Sequence, residues 1–195
     1  LWWSERQEAR LEEASETLVL AIEDITRGQP DSAYSALGPL AESGNDGARI
    51  VALMTRAGIA VESNRLEEAA NIYAQVSADE GAPPLYRDLA IIREVTLRYD
   101  ELGPDEVEAR LKPLAVPGAP WFGSAGELLG HAYLDQGKDE QAGALFRTIA
   151  TDENVPQSVR FRVRQMAGSM GVDAIEDVEE TLGELSEAGD AQGAP

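Results

Sequence analysis

The sequence predicts an all-α protein of about four tandem helix pairs followed by one closing helix. Three observations predict it. Small and large apolar residues recur with a period of about 36 residues, apolar positions within each stretch follow helical spacing, and prolines stand where helices are expected to start.

The clearest unit runs from Trp121 to Ile149 and reads WFGSAGELLGHAYLDQGKDEQAGALFRTI. Leu129, Gly130 and Tyr133 precede a turn at Gly137, and Ala142 and Phe146 follow it. Gly130 and Ala142 are small, so the two helices of a hairpin can approach closely while Tyr133 and Phe146 fill the space beside them. Gly137 is expected to end the first helix with a left-handed cap. These small and large positions, at this spacing, resemble a tetratricopeptide repeat.

Laid backwards, the template places Val107, Ala69 and Ala33 at the Ala142 position, with separations of 35, 38 and 36 residues. Leu111, Tyr73 and Leu37 take the Phe146 position, and Val95, Ala57 and Ala21 the Gly130 position. Val95 is larger than the pattern wants, so the third hairpin is expected to be splayed or rotated. Helix pairs are expected over 4–27 with 31–43, 47–62 with 65–79, 84–101 with 104–115, and 121–136 with 139–151. A last helix over 156–170 carries Val159, Val163, Met166 and Met170 on one stripe that can close the stack. The resemblance implies a tetratricopeptide-like right-handed solenoid over residues 1–171.

Pro30, Pro83, Pro84, Pro104, Pro120 and Pro156 lie at or before expected helix starts, where a missing N–H costs nothing. Pro39 and Pro113 fall inside second helices and should bend or shorten them. Val116-Pro117-Gly118-Ala119-Pro120 is the strongest loop signal, expected to be a joint within one solenoid between the first three pairs and the last. Residues 172–195 hold eight acidic residues and no basic one, and form an acidic C-terminal tail. Within it Ile175, Val178, Leu182 and Leu185 have the spacing of a short amphipathic helix, suited to docking on its own solenoid or on a second copy as a homo-oligomer.

Acidic residues number 36 against 16 Lys and Arg, a formal charge of −20. That charge repels a phosphate backbone and anionic lipid, so neither nucleic acid nor a membrane surface is an expected partner. There is no cysteine, hence no thiol nucleophile and no disulfide, and cytosol and periplasm stay equally open. No apolar run is long enough to span a bilayer. The opening Leu1, Trp2, Trp3 has two readings. One is the interfacial belt of a membrane helix upstream of Leu1, which would be the sole membrane attachment; the other is an amphipathic helix start that buries both Trp.

His131 is the single histidine, so a Ser-His-Asp type device would have to be built around it. It neighbours Gly130 and Tyr133 on a helix with no nucleophile motif, and a place in a groove or in packing is the expected use. Glu12-Glu13-Glu16, Glu67-Glu68 and Asp152-Glu153 lack the loop spacing of a calcium site. Glu67 and Glu68 fall in a first helical turn, where negative charge complements the macrodipole. Gly123, Gly126 and Gly130 match no phosphate-binding fingerprint. Arg160, Arg162 and Arg164 are expected to pair with the protein's own acids. Neither metal nor cofactor is expected.

The first helix of each pair is expected to line a groove. Template positions give Leu18, Ile22 and Ile25; Val51, Met54 and Val61; Leu89, Ile92 and Tyr99; and Glu127, His131 and Leu134. The face is mostly apolar and lacks the Lys, Arg and Asn with which some tetratricopeptide domains grip a C-terminal carboxylate. It suits a hydrophobic or amphipathic segment, with roughly half of these residues expected to be core.

The run LAVPGAPWFGSAGELLGHAYLDQGKDEQAGALFRTIATDENVPQSVRFRVRQM resembles the C-terminal half of the bacterial membrane-anchored tetratricopeptide family that includes the ancillary subunit of the Sec translocon. The features that carry it are Pro117-Gly118-Ala119-Pro120-Trp121, the turn from Gly137 to Ala142, and Pro156 to Arg160. The resemblance implies an inner-membrane anchor, a periplasmic solenoid, and a chaperone-like role near the translocon or among envelope proteins. The expected function is a protein-interaction module that is not an enzyme. The rivals are a soluble cytosolic adaptor and an enzyme using His131.

Overall fold

Prolines set helix starts where the sequence puts them. Pro30, Pro84 and Pro104 are first residues of helices, and Pro83 and Pro156 are N-caps. The structure, a computed structural model, describes residues 2–43 and 46–171. Among these the protein is all-α, with eleven helices and no strand. They are α1 (Trp2–Thr26), α2 (Pro30–Ala36), α3 (Gly38–Ala41), α4 (Asp46–Glu62), α5 (Leu66–Ala78) and α6 (Pro84–Leu97). There follow α7 (Tyr99–Leu102), α8 (Pro104–Leu111), α9 (Phe122–Asp135), α10 (Asp139–Thr151) and α11 (Gln157–Ser169).

The expected 31–43 helix is broken in two at Leu37, because the ring of Pro39 denies the backbone an N–H and crowds the preceding turn. Pro113 acts in the same way at the end of α8, which stops at Leu111. The break between α6 and α7, at Arg98, has no such sequence signal. Arg98 leaves helical geometry at φ −109° and ψ 19°, while its guanidinium is tied to Glu94, Glu67 and Asn71.

Helix ends repeat one device. After α9 the Lys138 N–H donates to the Tyr133 carbonyl at 2.8 Å and the Gly137 N–H to Leu134 at 2.9 Å, with Gly137 at φ +68°. The same pair of bonds closes α1 around Gly28 and α4 around Asn64, the one non-glycine with positive φ among the described residues. Left-handed residues thus end helices at 28, 64, 103, 137 and 171, with separations of 36, 39, 34 and 34.

The small and large template positions are all buried: Ala21, Ala57 and Val95; Ala33, Ala69, Val107 and Ala142; Leu37, Tyr73, Leu111 and Phe146. The protein divides into two compact units, Leu1–Glu101 and Leu102–Pro195, so the helices expected to form the third pair belong to different units. The division falls inside α7, ahead of the Val116–Pro120 loop.

In the first unit α1 packs on α2, α3 on α4, and α5 on both α4 and α6. Tyr34 locks α2 to the next pair, its hydroxyl donating to Glu68 while the guanidinium groups of Arg56 and Arg65 lie 4.2 and 4.3 Å from its ring centroid. In the second unit α9 packs against α8, α10 and α11. Val159 and Val163 of α11 are buried, Met166 and Met170 half-buried. Arg162 of α11 grips Glu127 of α9 with two bonds, at 2.7 and 2.6 Å. No helix of the described residues is long and apolar enough to cross a membrane. The tail 172–195, with the stripe from Ile175 to Leu185, and the side chains of Trp2 and Trp3 lie outside what the structure describes.

Candidate functional site: an apolar groove in the first unit

The first unit holds a groove of about 590 Å³ between α4 and α6, with α5 beneath. From α4 come Val51, Met54, Thr55, Gly58, Val61 and Glu62, all on one helical face. From α6 come Tyr86, Leu89, Arg93, Thr96 and Leu97, at steps of 3, 4, 3 and 1. Tyr73 of α5 rises from below and closes the floor.

The threonines add to the apolar surface instead of interrupting it. The Thr55 hydroxyl donates back to the Val51 carbonyl at 2.8 Å and Thr96 to Ile92 at 2.7 Å, so both polar atoms are satisfied within their own helices. Gly58 stands mid-helix, and a Cβ built there meets nothing within 4 Å. A glycine inside a helix costs about 1 kcal/mol relative to alanine, and here no neighbouring atom requires it. Its effect is to widen the groove.

Of the residues expected to line a groove, Val51, Met54, Val61 and Leu89 do so. Leu18 and Ile25 pack partly buried against the core of the first unit, as does Met54 from its other side. Ile22 points away, 60% exposed on α1. Ile92 is core, at 6% exposure: it stands about 60° round α6 from Leu89, enough to leave the open face. Tyr99 lies half-buried in α7. His131, Leu134 and Glu127 belong to the second unit, where Glu127 is committed to Arg162. His131 is exposed, its ring 6.3 Å from that of Phe146 in an edge-on arrangement at 69°.

The sequence matches no protein-family model, no curated protein and no solved structure. The groove therefore has to be understood from its own residues.

Sequence reasoning missed Arg93, Tyr73 and Gly58. Arginine on a surface helix ordinarily reads as a solvated position, and Tyr73 fills a core position of the template while also lining the groove. Burial pushes the Tyr73 hydroxyl above its ordinary pKa, and the nearby charge of Arg93 opposes that rise. Among the described residues no group of three or more His, Asp or Glu is placed to hold a metal ion.

Proposed function

We propose that this protein is a protein-binding module, a tetratricopeptide-like solenoid whose α4–α6 groove holds an apolar segment of another protein. The observation that carries the proposal is the groove itself. Val51, Met54, Val61, Leu89 and two inward-satisfied threonines present an open apolar surface, and Gly58 keeps it wide. An amphipathic helix or extended strand of apolar side chains is the ligand such a surface favours, because burying them recovers about 25 cal/mol per Å².

The recurrence of left-handed helix ends every 34 to 39 residues supports the repeat reading, as does the burial of each template position. In this reading His131 is a packing residue. The finer placement, a periplasmic domain of an inner-membrane protein that assists exported or envelope proteins near the Sec translocon, is supported by the resemblance of the run from Leu114 to Met166.

The test is fluorescence anisotropy with labelled leucine-rich peptides on the purified protein and on Gly58→Phe, which fills the groove without burying a charge. Binding by the parent and its loss in Gly58→Phe, with unchanged helical circular dichroism, is the expected result. Equal binding by both proteins would remove the groove from the proposal. Photo-crosslinking from Val61 in cells, at 36% exposure on the groove wall, tests the placement. Cytosolic partners alone would favour the adaptor.

A further inference from the structure

Among the residues that line the groove, Arg93 is the one cation, and it is uncommitted. Arg27, Arg49, Arg65 and Arg98 of the same unit each reach a carboxylate. Arg93 is exposed and reaches none among the described residues; Arg56, over the Tyr34 ring, and Arg87 reach none either, but neither lines the groove. Tyr73, at 5% exposure, also lines the groove, within reach of the charge of Arg93, and its hydroxyl has no hydrogen-bond partner among the described residues. A solvated guanidinium and a hydroxyl that line one apolar cleft are two donors for which no protein acceptor is found among the described residues.

We propose that the groove takes an apolar segment bearing one carboxylate, held by the Arg93 guanidinium and the Tyr73 hydroxyl while Met54, Val51 and Leu89 take the apolar side chains. The inference rests on the groove being a protein-binding surface. Charge complementarity selects the occupant. Docking an apolar segment covers Arg93 and strips its water, which costs free energy unless the segment supplies the counter-charge. Two charge-assisted donors converging on one carboxylate meet that need. Glu62, the acid of the groove wall, disfavours a second carboxylate toward the C-terminal end of α4. The carboxylate can come from an Asp or Glu side group or from the C-terminus of the bound polypeptide.

Three labelled leucine-rich peptides separate these sources: one with a central Asp and an amidated end, one with Asn there and a free C-terminal carboxylate, and one with Asn and an amidated end. One or both of the carboxylate peptides should bind about tenfold or more tighter than the doubly neutral control. Arg93→Gln should erase that preference, weakening the carboxylate peptides and tightening the neutral control because no unpaired charge is then covered, and Tyr73→Phe should reduce it. Arg87→Gln, on the same helix but outside the groove lining, should leave it intact. The peptide that shows the preference identifies the source. Equal affinity for all three peptides, lost in Gly58→Phe, would overturn the carboxylate inference and leave the groove standing. A preference that survives Arg93→Gln would overturn it too. Binding of no peptide would overturn the groove reading and this inference together.

Discussion

Gly130 and Phe146 occupy adjoining halves of one volume: a Cβ on Gly130 would stand 2.2 Å from Cε1 of Phe146 and 2.5 Å from its Cζ. Phe146 is fully buried, so its ring has nowhere to retreat. Gly130→Ala should therefore cost about 2 kcal/mol despite alanine's better helix propensity. Gly58→Ala, with open space around it, should gain about 0.5–1 kcal/mol. Urea denaturation of the two variants reads the opposite signs directly, and a loss at both positions would contradict the packing described.

That contact was legible in the sequence. A small residue facing a large one at fixed spacing across a turn means close helix approach, and the helix boundaries followed from the same pattern with its prolines. The break at Arg98 was not legible, because it coincides with ion pairs to Glu67 and Glu94 from two helices, and period and punctuation carry no trace of such ties. The groove was half legible. Val51, Met54, Val61 and Leu89 follow from helical spacing, but Ile92 is one step round the helix, where core and open face differ by about 60°. Arg93 is solvated, as a charged helix residue ordinarily is, and only the tertiary structure shows the groove beside it.

Arg98 supports an otherwise exposed break between two helices. It reaches Glu94 at 3.3 Å, Glu67 at 2.9 Å and Asn71 at 2.7 Å, and Glu94 is a buried carboxylate at 6% exposure. Arg98→Ala should destabilise the first unit by about 2–3 kcal/mol, chiefly by leaving Glu94 with a poorer counter-charge. The double variant Arg98→Ala with Glu94→Gln should recover part of that loss. A fully additive double variant would show that the pair is not coupled.

Closure by α11 should depend more on apolar burial than on its ion pair. Val163 is fully buried, whereas the side chain of Arg162 is 52% exposed beside Glu127. Val163→Ala should cost about 2 kcal/mol and Arg162→Ala under about 1 kcal/mol, the latter shrinking further in salt. Amide exchange along α11 distinguishes them, with protection lost throughout the helix in the first variant and largely kept in the second.

Two carboxylates tie helices together and should set the acid limit of stability. The Arg49 guanidinium, donating to Asp79, holds that carboxyl below its ordinary value, helped by the Gly81 N–H at 2.9 Å. Lys138, donating to Glu108 at 2.6 Å, and then Lys112 at 3.2 Å, do the same for Glu108 and join α8 to the start of α10. A carboxyl whose folded pKa is depressed binds its proton more readily in the unfolded state. Its contribution is therefore complete above the ordinary carboxylate range and is lost as pH falls through the folded value. Asp79→Asn and Glu108→Gln should each lower the urea midpoint at neutral pH, and the deficit should close as the pH drops below the ordinary carboxylate range. Denaturation curves at successively lower pH check this for each variant. A deficit that stays constant into acid would mean that the substitutions act through shape and not through charge.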